Sequence, residues 1–229
     1  MSKPKFLSSG YCPGTAVAIQ YFEDAHFPNP LHYHKELELA YIISGYGTRI
    51  IGSSIEPYKK GDLVLVGEEL AHVWKSNDAF YEPDTSLLTK AYVVKFHSDF
   101  AGKDFFNLQE SHPITKVMKD ANGGIKIRGK SKSVILTILR EMLNQSPLEQ
   151  ILSLLQILNL ISKSETTSIL SHFDLHRSSN PKEKDRMNKI IQYTMLNFKR
   201  NITLEEIANI SNLSRSAFCR YFKNTVKKS

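Results

Sequence analysis

The chain has 229 residues, of which 41% are hydrophobic and 23% charged, with 9 Pro and 11 Gly; this excludes collagen-like, low-complexity and disordered classes. The net charge of +7 lies entirely in residues 181–229, where 11 Lys and Arg face four acids, while residues 1–180 balance at 19 against 19. Such a basic tail fits a polyanionic partner such as nucleic acid, or else a solvated surface helix.

Residues 15–97 are read as strands. Runs with β-forming residues recur at Ala16–Phe22, Leu37–Ile43, Thr48–Ile51, Asp62–Val66 and Ala91–Phe96. Turn pairs such as Ser44-Gly45, Gly52-Ser53 and Lys60-Gly61 separate many of them, which predicts a sandwich or small barrel. From about residue 113 the period changes to that of helices, at Ile114–Ala121, Ser133–Asn144 and Leu148–Lys163. The last of these is apolar on more than one face. One face covers the barrel; the second predicts a homodimer interface, with a wider core contact as the alternative. The run Ile151–Ile161 is too short and too interrupted to span a bilayer, so no membrane partner is expected. Residues 164–184 are rich in Ser, Thr and charge and are read as a linker.

Residues 185–229 are expected to be helical. Met187, Ile190, Ile191, Thr194, Met195 and Phe198 fall three and four apart. Thr203-Leu-Glu-Glu206 forms a capping-box sequence that opens a short helix. Asn212 sits where a tight turn needs the left-handed backbone, and Ser214 is suited to cap a second helix. There Phe218 and Phe222 share a core face, leaving Arg215, Ser216, Cys219, Arg220 and Lys223 as candidate DNA-binding residues. This helix, turn and helix resembles the first helix-turn-helix of AraC/XylS-type transcription regulators, over about 25 residues. The matching elements are Leu204 with Ile207-Ala208, Leu213 before Ser214, and Phe218 with Arg220, Phe222 and Lys223. Those regulators usually carry Gly at the position of Asn212 and another near Lys227. Their DNA-binding domain has two such motifs, and this sequence carries one, as a truncated form or a natural short variant. Weak, salt-sensitive DNA binding is therefore expected of it.

Toward the N-terminus, His32-Tyr-His34 with Glu38 and Gly45, then Gly61 with His72, match the spacing of the two cupin motifs. Alternate residues of a strand share a face, so His32 and His34 should converge. His32, His34, Glu38 and His72 have the ligand types of a three-histidine, one-carboxylate metal site. The leading Gly of the first motif is His26 here, and the second motif's Pro and inner Gly are Gly67 and Glu69. The stretch Tyr58–Val66 with His72 resembles the cupin sensor of AraC-type regulators, in which such residues pack or contact an organic effector without metal. The resemblance implies an effector pocket of His32, His34, Glu38 and His72, with no metal and no cofactor; Trp74, by its alternation with His72, and Arg49, by its residue type, are further candidate pocket contacts.

The fold expected is thus mixed: an all-β cupin (double-stranded β-helix or jelly-roll) barrel with trailing helices over 1–163, a linker over 164–184, and an all-α segment over 185–229. The function expected is a ligand-responsive, sequence-specific DNA-binding regulator, with no enzymatic activity. Its small-molecule effector is a sugar by family analogy, and Leu148–Lys163 forms a homodimer. The alternative is a metal-dependent cupin enzyme with a basic tail. Cys12 and Cys219 lie at opposite ends of the sequence, and the N-terminus has no apolar stretch of a secretory signal, so a reducing cytoplasm is expected.

Overall fold

The computed structural model describes residues 5–6, 15–171 and 186–226, apart from 188, 191, 192, 195, 196, 198 and 199. Strands β1 (Lys5–Phe6), β2 (Val17–Asp24), β3 (His32–Tyr33), β4 (Leu37–Ser44), β5 (Gly47–Ile51) and β6 (Ser54–Tyr58) come first. They are followed by β7 (Leu63–Val66), β8 (His72–Ser76) and β9 (Thr89–Phe96). Helices α1 (Lys103–Asn107) and α2 (His112–Asp120), strand β10 (Ile125–Ile127), helices α3 (Ser131–Met142) and α4 (Pro147–Ser162), and strand β11 (Thr167–Ile169) complete this part.

Two sheets form, one ordered β1-β3-β8-β5-β6 and the other β11-β10-β7-β4-β9-β2. All their pairings are antiparallel except β1 with β3. The sheets face one another but do not close. Each keeps its own two edge strands, so the described strands form a two-sheet sandwich, one of the two architectures that strand spacing allowed, and not the closed barrel of the cupin resemblance.

The six-stranded sheet is covered on both faces, and its central strand shows why its sequence is apolar almost throughout. Along β4, Leu37 and Leu39 point outward into a core shared with Leu63, Leu65, Val94 and Phe96. Helices α2, α3 and α4 complete that core with Val117, Met118, Ile135, Leu139, Leu154, Ile157 and Leu158. The alternate residues Ala40 and Ile42 point inward and pack with Val64, Val66 and Ala91, and with Ile51, Tyr58 and Trp74 of the facing sheet. Glu38 precedes them on the same inward face, a carboxylate in an otherwise apolar layer.

Helix α4 starts at Pro147 behind a capping box in which Glu149 accepts from the backbone N–H of Ser146 at 2.7 Å. It buries Leu154, Ile157, Leu158 and Ile161 against the core, while Leu148 and Leu152 stay 67% and 58% exposed. Helix α4 is thus covered on one face and open on another. The stretch read as a linker starts as structure: β11 pairs with β10, and Ser171 is buried against Gly52. Its Ser- and Thr-rich composition looked loop-like, yet Thr167 and Ile169 are β-branched and suit a short strand. The rest of that stretch lies outside the described residues.

Beyond it, residues 186, 187, 189, 190, 193, 194 and 197 are helical. Helices α5 (Leu204–Ile210) and α6 (Arg215–Val226) follow. Ala208, Phe218, Met187 and Ile190 are buried there.

Candidate functional site

The sheet pairing delivers the four predicted ligand-type side chains to one place. His32 on β3 and His72 on β8 are Cα partners, and His72 is also opposite Ile51 of β5. His34 lies just past β3. Glu38 comes from the facing sheet, where its Cα partners are Val66 and Lys95. All four residues are buried, and one ligand atom from each lies within 4.8 Å of the others. The ring centroids of His32 and His72 are 4.3 Å apart, and those of His34 and His72 5.0 Å.

Each imidazole is oriented by its own backbone. His32 Nδ1 lies 2.9 Å from the Pro30 carbonyl, His34 Nδ1 2.9 Å from the Glu36 carbonyl, and His72 Nδ1 2.7 Å from the Leu70 carbonyl. A carbonyl oxygen only accepts, so the proton sits on Nδ1 in all three rings, and a neutral ring then carries its lone pair on Nε2. His34 Nε2 is 3.1 Å and His72 Nε2 3.8 Å from Glu38 Oε2. His72 Nε2 is fully buried and makes no hydrogen bond. Burial, with the neighbouring charge of His72, pushes the His32 pKa down to about 3. Burial opposes ionisation of Glu38, yet contacts with His34 and His72 and the charge of Lys95 hold its carboxyl well below the usual range.

Lys95 is the site residue that motif spacing missed. Its Nζ is 3.4 Å from Glu38 Oε2, and its side chain keeps 22% exposure. A signal existed in the sequence: Lys95 is a cation at an inward position of the run Tyr92-Val-Val-Lys-Phe96.

Arg49 on β5 and Trp74 on β8 are Cα partners. Arg49 is 1% exposed and its guanidinium is paired with Asp62 and, at 2.9 Å, with Glu56. Lys126 joins both carboxylates, at 3.2 Å from Asp62 and 3.5 Å from Glu56. This charge cluster ties β5, β6 and β10 together and engages the Arg49 guanidinium with two carboxylates. Trp74 packs edge-on to His72 at 5.9 Å, its Nε1 buried without a partner. An open cavity of about 450 Å³ is lined by Tyr46, Gly47, Tyr58, Lys75 and Ser76 among others. It sits at the other end of β5 and β8 from His72.

In the C-terminal helices, Thr203 Oγ1 accepts from Glu206 N at 3.2 Å, and Glu206 accepts from Thr203 N at 2.9 Å. The predicted capping box is present. Asn212 has φ of 53°, the left-handed backbone its turn requires. Phe218 is 4% exposed and stacks on Phe222. Arg215, Ser216, Arg220 and Lys223 are exposed, and Cys219 is half-buried. Two other basic residues of this segment are occupied internally. Arg186 donates to the Ser211 carbonyl at 3.0 Å and lies over the Tyr221 ring. Arg200 pairs with Glu206 at 2.9 Å.

No protein-family model matches the chain, and no curated protein matches it in sequence. Among solved structures it is similar to ToxT from Vibrio cholerae at 14% identity, over 93% of this chain and 96% of that one, with a TM-score of 0.40. It is similar to the AraC-like transcriptional activator CuxR at 10% identity, over 90% of this chain and 67% of that one, with a TM-score of 0.39. A cupin 2 conserved barrel domain protein from Rhodopseudomonas palustris matches at 22% identity over 38% of this chain and 55% of its own, with a TM-score of 0.28.

Proposed function

We propose that this chain is a cytoplasmic, ligand-responsive DNA-binding transcription regulator of the AraC/XylS kind. The observation that carries the reading is the split of helix α6. Phe218 is buried, while Arg215, Ser216, Arg220 and Lys223 are exposed on the same helix. The capped helix α5 and the left-handed turn at Asn212 hold α6 as the second helix of a helix-turn-helix, which reads base edges from the major groove. Arg220 suits bidentate contact with guanine, and Lys223 a phosphate.

The two-sheet domain is the sensor in this reading, with the His32, His34, Glu38 and His72 cluster as its effector site. A sugar is the effector class implied by family analogy. Ligand binding favours one arrangement of a homodimer built on the open face of α4, and so sets where the two recognition helices lie. No helix among the described residues is long and apolar enough to cross a membrane.

The experiment is a selection of bound duplexes from a random pool, followed by titration of the selected site. Enrichment of one sequence, lost in Arg220→Ala, supports the reading. Recovery of unselected sequence would oppose it. The same convergence of histidines and carboxylate favours a second reading, a metal-dependent cupin enzyme with a basic tail, and turnover by metal-loaded protein would decide for it.

A further inference from the structure

We propose that Lys59, Lys60, Arg128, Lys130 and Lys132 form a second DNA-contacting surface, on the two-sheet domain, that grips duplex phosphates without reading sequence. The proposal rests on the DNA-binding reading for its choice of partner, and adds a contact outside the C-terminal helices. Two segments distant in sequence build this surface. Strand β10 pairs antiparallel with β7, with Lys126 opposite Val64, so the chain leaving β10 runs back along the turn that enters β7. Lys132, near the start of α3, reaches that turn. Its Nζ lies 3.4 Å from the point that a Cβ on Gly61 would occupy. Lys59, Lys60, Arg128 and Lys130 are exposed, and Lys132 is half-buried.

The positive charge gathered here is uncompensated. Glu56 and Asp62, which flank the turn in sequence, are taken up by Arg49 and Lys126. Lys163 and Glu165, ahead of β11, balance one another in charge. Among the described residues, none of the five cations is held in an ion pair. Residues 1–180 balance to zero overall, so the cluster is a local concentration and not a share of a general excess.

Helix α3 adds a separate observation. It has no acid in its first turn, while Lys130 and Lys132 stand at its start. The N-terminal end of a helix carries partial positive charge and favours acids. The chain thus keeps cations where they repel both the helix end and one another, and an arriving anion relieves that repulsion.

The spacing residues indicate which anion. Gly61 adjoins the two lysines of one segment, and Gly129 and Ser131 separate the cations of the other. Phosphate oxygens are bound by Lys, Arg and Ser in this manner. Protein partners are usually anchored by buried aromatic side chains, and membrane surfaces by an apolar face beside the cations. Neither segment carries such residues between its cations.

The test titrates the full chain with random-sequence duplex, followed by fluorescence anisotropy over a range of salt. Each phosphate contact adds about 0.9 to the salt slope, so Lys60→Gln, Lys130→Gln and Lys132→Gln combined should lower it by about 2 to 3 and weaken binding at least about tenfold. A control with the same loss of charge, Lys75→Gln, Lys103→Gln and Lys119→Gln at exposed positions elsewhere, should keep the wild-type slope. Circular dichroism and thermal melting check that both variants fold. Sequence selection is measured separately, and the triple variant should enrich the same duplex as wild type. Wild-type chain that selects no sequence, but whose salt slope falls in the triple variant, would remove the regulator reading and support this surface. A slope unmoved in the triple variant, or lowered equally by the control, would overturn the inference. So would retention on phosphatidylserine vesicles that the triple variant loses while its DNA binding is unchanged, since that assigns the surface to a membrane.

Discussion

His32 and His72 are Cα partners on neighbouring antiparallel strands, and their ring centroids stand 4.3 Å apart. Forty residues of sequence separate them, yet the pairing of β3 with β8 places them on one inward face, opposite Glu38 of the other sheet. The site is therefore a product of sheet register. A one-residue slip of β8 would turn His72 to the outer face and dismantle it.

Burial keeps His32 neutral, with a pKa of about 3 against an ordinary value of 6.5. The unfolded chain therefore binds a proton at this residue well before the folded one does. Metal-free protein should lose stability as pH falls from about 6.5 towards about 3, by at most about 1.4 kcal/mol per pH unit from this group. Glu38, whose pKa is also depressed, acts in the same direction at the acid end. Urea titrations at a series of pH values check this, and His32→Gln should flatten the slope above pH 5.

Arg49 is buried with Asp62, which is itself 8% exposed. Arg49→Leu removes the principal cation and leaves a buried carboxylate with Lys126 alone. The expected loss is about 3–5 kcal/mol, read from chemical denaturation. A loss under 1 kcal/mol would show that Lys126 suffices.

Asn212 holds φ of 53° between α5 and α6. Asn212→Val should destabilise the C-terminal helices by about 1–2 kcal/mol, because a branched side chain resists the left-handed backbone. Asn212→Gly should be tolerated or slightly stabilising. Equal destabilisation by both would mean that the Asn side chain, rather than the backbone angle, matters at the turn.

Leu148 and Leu152 are the most exposed apolar residues of α4. If this face joins two copies, the wild-type chain should be a dimer by light scattering at micromolar concentration, and Leu152→Glu a monomer with unchanged helix content. A wild-type monomer would remove the interface.

Much of this architecture was legible in the sequence, and the exceptions have physical causes. Strands β2, β4, β5, β7 and β9 were visible from apolar alternation or β-rich runs. Strand β6 was not, because Pro57 breaks its pattern; a proline is tolerated there because β6 is an edge strand. The short strands β10 and β11 carry only three residues each, too few to show a period. Helix α1, at five residues, is equally silent.

For the site, motif spacing located the three histidines and Glu38. It could not show the Nδ1 contacts, since carbonyl partners depend on backbone path and not on side-chain identity. Arg49 was read as a pocket residue from its residue type. Its partners, Glu56 and Asp62, are nearby in sequence, but their pairing depends on the hairpin of β5 with β6. In the tail, the spacing of Phe218 and Phe222 already singled out Arg215, Arg220 and Lys223 among the basic residues. Arg186 and Arg200 are in fact engaged within the protein, which leaves Arg215, Arg220 and Lys223 as the exposed set on α6.

The most direct test of the regulator reading is a comparison of two substitutions on helix α6, titrated against a selected duplex and its single-base variants over a range of salt. Arg220→Ala should lose about 1–3 kcal/mol of discrimination at one base pair of each half-site. Lys223→Ala should weaken all sequences alike and lower the salt slope by about one. Identical behaviour of both variants on every sequence would contradict the account.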